Sequence, residues 1–147
     1  MRTYSAKPSD VVRKWYEIDA SEASLGRLST VVAELLIGKR KAMFTKHIDC
    51  GDYVIITNSD KLVVTGDKLN KKMYYRHSNY PGGLKESTLQ FEMDKDSRKV
   101  IEKSIRGMLP VNRLRDERLK RLKIYSGSEH EHAAQKPEKF SLQKGSK

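Results

Sequence analysis

One cysteine, Cys50, stands in a chain of 147 residues. An internal disulfide is therefore excluded, and a reducing compartment is the natural setting. No run of about 18 apolar residues occurs, so no helical membrane span is expected. The first ten residues, MRTYSAKPSD, hold no apolar h-region, and no secretory signal is expected. No repeat of about 20–50 residues is visible. Acidic residues are few: 19 Asp plus Glu face 30 Lys plus Arg, a net charge of +11. A surplus of that size on a small domain favours a polyanion, nucleic acid first. A membrane surface is disfavoured, because no segment joins a strong apolar face to a basic one at interfacial length. The length predicts one domain with tails. Such a chain buries about 68–70% of its unfolded surface and needs no covalent staple.

Residues 1–14 are polar, carry Pro8 and read as an N-terminal arm. Trp15–Asp19 alternates and reads as a strand. Ser21 offers an N-cap to a helix built on Leu25, Leu28, Val32, Leu35 and Leu36, which Gly38 stops. Strand followed by helix opens an α/β unit. Tyr53–Thr57 is nearly continuous in apolar residues, as in a strand covered on both faces. Leu62–Thr65 and Met73–Arg76 read as two more strands, paired as a hairpin around the basic loop 66–72. Pro81-Gly82-Gly83 is a loop. Leu89–Met93 fits either a strand or one face of a helix. Ser97 can cap a helix with Ile101, Ile105 and Met108 on one side and Lys99, Lys103 and Arg106 elsewhere, ended by Pro110. Residues 112–122 read as a basic helix and Lys123–Ser126 as a short strand. From Gly127 the chain is polar and is expected to order only against a partner. The domain reading is thus an arm, 1–14, a single α/β RNA-binding domain, 15–126, and a polar tail, 127–147.

Catalytic or cofactor chemistry finds little footing. The first strand-to-helix turn, Asp19–Gly26, lacks the paired glycines of a dinucleotide site, and no G-x-x-x-x-G-K-[ST] loop occurs. His130 and His132 could ligate zinc if Cys50 or His47 joined them, but nothing in the sequence fixes that proximity. Cys50 has no local signature of a nucleophile. We expect no enzyme, no cofactor, no metal and no small-molecule substrate.

The basic clusters say more. They are Lys39-Arg40-Lys41 with Lys46-His47, then Lys68 with Lys71-Lys72, then Arg98-Lys99, then Arg113, Arg115, Arg118, Lys120, Arg121 and Lys123. In the last cluster Leu114, Leu119 and Leu122 supply an inward edge, and Asp116 and Glu117 alone interrupt six cations. Tyr74, Tyr75, Arg76, His77 and Tyr80 precede Gly82 and Gly83. Aromatic and guanidinium planes stack on unpaired bases, and glycines admit a phosphate backbone. No helix-turn-helix, zinc finger or RNP signature appears, so RNA is favoured over sequence-read DNA.

The runs Gly107-Met108-Leu109-Pro110, Asn112-Arg113-Leu114, Leu119–Gly127 and Glu129–Gln135 closely resemble the signature of the bacterial-type large-subunit ribosomal protein thirteen family. Thr3–Pro8, Lys14-Trp15-Tyr16, Leu25–Leu28, Gly51–Ile55 and Tyr74–Gly83 extend the likeness in the same order, from about residue 3 to 138. Val111, Arg115-Asp116-Glu117, Ala42 and Lys46 depart from the family's usual residues. The resemblance implies a three-layer α/β/α fold around a small, mainly parallel sheet. It also implies a structural protein of the cytoplasmic ribosome that binds large-subunit ribosomal RNA, touches neighbouring large-subunit proteins and joins assembly early. The alternative is a free-standing RNA-binding regulator or chaperone. The residues expected at RNA are Lys39, Arg40, Lys41, Lys46, His47, Lys68, Lys71, Lys72, Arg76, His77, Tyr80, Gly82, Gly83, Arg106, Asn112, Arg113, Arg118, Lys120, Arg121, His130 and His132.

Overall fold

The computed structural model describes residues 4–142. Its centre is a four-stranded parallel sheet in the order β5-β2-β1-β6. Strand β1 (Trp15–Asp19) lies beside β2 (Tyr53–Thr57) with Trp15 opposite Tyr53. Helix α1 (Leu25–Ile37) makes the crossover between them. On the far side of β2 lies β5 (Leu122–Ile124), and on the far side of β1 lies β6 (Glu138–Lys139). The architecture is α/β with a mainly parallel sheet and helices, in keeping with the layered fold that the resemblance implied.

Alternation assigns the two faces. Ile18, Val54, Ile56 and Leu122 point to one face, where they meet Leu28, Val32 and Leu36 of α1. Val100, Ile101 and Ile105 of helix α3 (Leu89–Met108) complete this core. Each fully buried aliphatic side chain contributes roughly 1.5–3 kcal/mol. The opposite face carries Trp15, Tyr53 and Ile55. Trp15 stacks on Tyr53 with centroids 4.2 Å apart, and His132 lies 5.2 Å from the indole. The near-continuous apolar run of β2 thus marks a strand covered on both sides, as its composition predicted.

Gly38 ends α1 as expected. Its φ of +80° is left-handed, and its N–H is donated to the carbonyls of Glu34 and Leu35. The start of α1 differs from the expectation. Ser21 does not cap it: the Asp19 carboxylate takes both the N–H and the hydroxyl of Ser21, which closes a 3-10 turn over Ala20–Glu22. Ser24 precedes the helix instead, and the Leu25 N–H is donated to the Val63 carbonyl at 3.2 Å.

The expected hairpin is also rearranged. Leu62–Thr65 forms no strand beyond one bridge, Ser24 to Val63. The basic loop contains a short helix, α2 (Lys68–Lys71). Strand β3 (Met73–His77) pairs antiparallel with β4 (Leu84–Thr88), a run too polar to stand out by alternation. Leu89–Met93 is helical. Thr88 caps that helix through its hydroxyl, and α3 continues past a break at Asp96, where φ is −164°. Asp96, not Ser97, caps the second half by accepting the Arg98 N–H at 3.1 Å. Ser97 is buried instead and donates to Asp60.

The basic helix is shorter than expected. Helix α4 spans Leu114–Lys120, and Leu122 already belongs to β5. Residues 127–142 do not wait for a partner to order. Strand β6 pairs with β1, Phe140 packs edge-on against Tyr16 at 5.9 Å, and Leu142 is buried. These scattered apolar residues find a sheet edge that sequence periodicity does not reveal.

Candidate nucleic-acid interface

The basic clusters divide into those that stay on the surface and those spent inside the fold. Arg118 and Arg121 are spent. They are 1% and 7% exposed, so neither stands where a phosphate could meet it. Leu114, Arg118 and the C-cap residue Arg121 fall at i, i+4 and i+7, on the inward side of α4, while Lys120 stays exposed. Arg121 grips both oxygens of Asp49 and also donates to the Leu36 carbonyl at 3.1 Å. Arg13 joins the same carboxylate from the arm at 3.9 Å. Burial pushes the Asp49 carboxyl up, but the hydrogen bonds and charge of Arg121, the Gly51 N–H and Arg13 outweigh it. The net shift is below the usual carboxylate range. Arg118 is less well served. Its Nε lies 3.7 Å from Asp49, and neither Nε nor Nη1 has a hydrogen-bond partner among the described residues. Desolvation holds its pKa below the ordinary arginine value.

Other expected contacts also have structural work. Lys41 reaches Asp52 at 2.6 Å and the Val12 carbonyl at 2.8 Å, tying the arm to the loop before β2. Arg40 pairs with Glu34 and lies 5.1 Å over the Phe140 ring. Asn112 accepts the Leu114 N–H at 3.1 Å and so opens α4. His132 meets the Tyr125 hydroxyl at 3.0 Å, while His130 lies 3.7 Å from Glu17. Both histidines therefore pack over the sheet. His47 stands instead beside Ser5, and Cys50 is buried against the Met43 carbonyl. The four do not converge, and no group of three metal-ligating side chains occurs among the described residues.

The remaining cations gather around α2, α3 and the β3–β4 hairpin. Helix α2 packs on α3, and α3 packs on β4. Lys68, Lys71 and Lys72 line a cavity of about 440 Å³ with Ser24, Gly26 and Ser104. Lys72 and Lys103 both sit over the Tyr74 ring, 5.4 and 4.3 Å from its centroid. Lys99, Lys103 and Arg106 fall at i, i+4 and i+7 and form one exposed stripe on α3, opposite its buried aliphatics. Arg76, His77 and Tyr80 are all exposed on the hairpin, and Arg76 shares the face of Tyr74 and continues this surface. Lys39, Lys46 and Arg113 are exposed elsewhere. Lys120 is exposed too, and its pairing with Glu117 at 2.8 Å is a surface contact of small worth.

Two contributors to this surface are hidden in the sequence. Lys103 is legible there only as a helix-face residue without a partner, and nothing local singles out Lys85. Lys85 stands directly across from Arg76. Pairing 73–76 with 84–88 would find it, but the more apolar run 62–65 competes for that pairing.

Comparison with known proteins fits this arrangement of a parallel-sheet core and a basic flank. Residues 13–131 match the family model described as ribosomal protein L13. The chain is 55% identical over 138 residues to the large ribosomal subunit protein uL13 of Syntrophomonas wolfei, covering 94% of this chain and 96% of that protein. It is 52% identical over 137 residues to the uL13 protein of Maridesulfovibrio salexigens, covering 93% and 96%. The uL13 protein of Listeria innocua is 56% identical over 140 residues, covering 95% and 97%. With a family match across most of its length and relatives this similar end to end, the chain belongs to the ribosomal protein L13 family, a family of structural constituents of the large ribosomal subunit and not of known enzymes.

Proposed function

We propose that this protein binds large-subunit ribosomal RNA directly, beside neighbouring large-subunit proteins, and supports early assembly of the subunit. The observation that carries the reading is the continuous basic surface of Lys68, Lys71, Lys72, Lys99, Lys103 and Arg106. Cations placed side by side on packed helices follow a phosphate backbone with little cost in ordering. Contacts of that kind position a protein and brace RNA folds, with little base reading. Lys39, Lys46, Arg113 and Lys120 extend the same role to other RNA segments. Arg118 and Arg121 are left out of the contact set, because both are buried.

Sedimentation of a lysate after a high-salt wash tests the reading. Comigration with the large subunit at near-unit stoichiometry is expected. A peak at the top of the gradient, with none in the large-subunit fractions, would reject stable integration. Binding to isolated ribosomal RNA should weaken steeply with salt, each neutralised phosphate adding a log–log slope of roughly −0.7 to −0.9. The triple variant Lys72→Glu, Lys103→Glu, Arg106→Glu should fold normally and lose most RNA affinity.

A further inference from the structure

The β3–β4 hairpin forms a two-stranded sheet of its own, separate from the central sheet. An isolated hairpin is marginal in water unless something covers it. Here Tyr74 anchors the base against α3, where burial raises its hydroxyl pKa and Lys103 covers the ring. Beyond Tyr74 the ribbon runs into solvent.

Residues directly opposite in an antiparallel pair share a face. The register therefore divides the free part of the ribbon in two. One face holds Tyr75 opposite Glu86 and His77 opposite Leu84. The other holds Arg76 opposite Lys85, continuous at its base with Tyr74 and Ser87. Tyr75 is 60% exposed and Leu84 53%. The tip adds Tyr80, 74% exposed. That tip is closed by its own bonds: the Ser78 N–H is donated to the Gly83 carbonyl, the Gly83 N–H to the Tyr80 carbonyl, and the Asn79 N–H to His77 Nδ1. A Cβ on Gly83 would stand 2.8 Å from the Tyr80 carbonyl oxygen as well as against the movable Ser78 hydroxyl, so this closure favours glycine. Tyr80 is thus held outward on an ordered turn before any partner arrives.

We infer that the hairpin is a two-faced RNA wedge, in which Arg76 and Lys85 neutralise phosphates on one side while Tyr75, His77 and Tyr80 stack on unpaired bases on the other and at the tip. The inference rests on the RNA-binding reading above and deepens it. Charge complementarity selects RNA over an apolar protein partner: two adjacent cations back the aromatic face, and Lys72 and Lys103 continue them at the base. Glu86 is the one carboxylate on the aromatic face. It keeps phosphates off that side and leaves it to bases, whose planes stack on aromatic rings.

The test uses the full chain and large-subunit ribosomal RNA transcribed from the source genome, with affinity measured across a series of salt concentrations. Tyr75→Ala with Tyr80→Ala should weaken binding roughly five- to a hundredfold per base unstacked and leave the salt slope unchanged. Tyr75→Phe with Tyr80→Phe should bind as the parent does. Arg76→Gln with Lys85→Gln should reduce the slope by roughly 0.7 for each phosphate no longer neutralised. Thermal unfolding of each variant establishes that the fold is retained. If the parent binds and both the alanine and glutamine variants bind equally well, the wedge is overturned while the broader RNA reading stands. The same holds if the variants bind naked RNA normally but enter subunits poorly, which would assign the hairpin to a protein neighbour. If the parent itself fails to bind ribosomal RNA, the broader reading falls.

Discussion

The α4 segment and the β3–β4 hairpin are both basic in sequence, yet they use their charge in opposite directions. Around α4, Arg118 and Arg121 turn inward and gather on Asp49, which also receives Arg13. On the hairpin, Arg76 and Lys85 face solvent with no carboxylate paired to them among the described residues. The first cluster holds a loop to a helix end and the second is free for a partner. A run of cations in a sequence is therefore a surface only where the fold has no internal acid to receive it.

The contrast breaks most severely at the Asp49–Arg121 pair. Removing one member of a buried ion pair leaves the other charge uncompensated, at a cost of about 3–5 kcal/mol. Arg121→Leu should lower the melting temperature on the order of 10 °C, measured by calorimetry. A variant that melts with the parent would show the pair to be idle.

Acid sharpens the same contrast with a smaller effect. The Asp49 pKa is depressed in the folded state, so its stabilising effect is complete above the ordinary carboxylate value of 3.8. It is lost as the pH falls through the depressed folded value. Urea midpoints of the parent should therefore drop below that pH more steeply than those of Asp49→Asn, which has no such proton to take up.

Arg118 should matter far less than Arg121 despite similar burial. Its Nε and Nη1 are unpartnered, so its desolvation is poorly offset. Arg118→Met should leave stability nearly unchanged, or raise it if the methionine packs well. RNA affinity and its salt slope should not change. Smallest of all is Lys120→Gln, which removes an exposed pair and should change the unfolding free energy by less than about 1 kcal/mol.

Much of the core is legible from single segments. The alternation of Trp15–Asp19, the apolar run of Tyr53–Thr57 and the helical spacing of Leu25 to Leu36 each encode their element locally. Gly38 marks its stop because few other residues tolerate a left-handed φ. The elements that local reading misplaces share a cause. Local propensity points to Ser21 and Ser97 as caps and to 62–65 as a strand. In each case another group claims the residue, or a more polar segment, 84–88, takes the pairing. The segment after Gly127 follows the same logic: Phe140 and Leu142 are isolated in sequence and join the core only beside β1.

For the basic surface, residue type is legible in the sequence and direction is not. Composition and periodicity determined that the protein carries a large positive surplus on a small α/β domain, because both are properties of the chain. Tertiary structure decided which cations are free. A side chain's direction depends on what packs behind it, and Asp49 lies far in sequence from Arg13 and Arg121, the cations it holds. Burial makes an unpaired charge costly, so the fold first satisfies such acids, and the cations left over face outward.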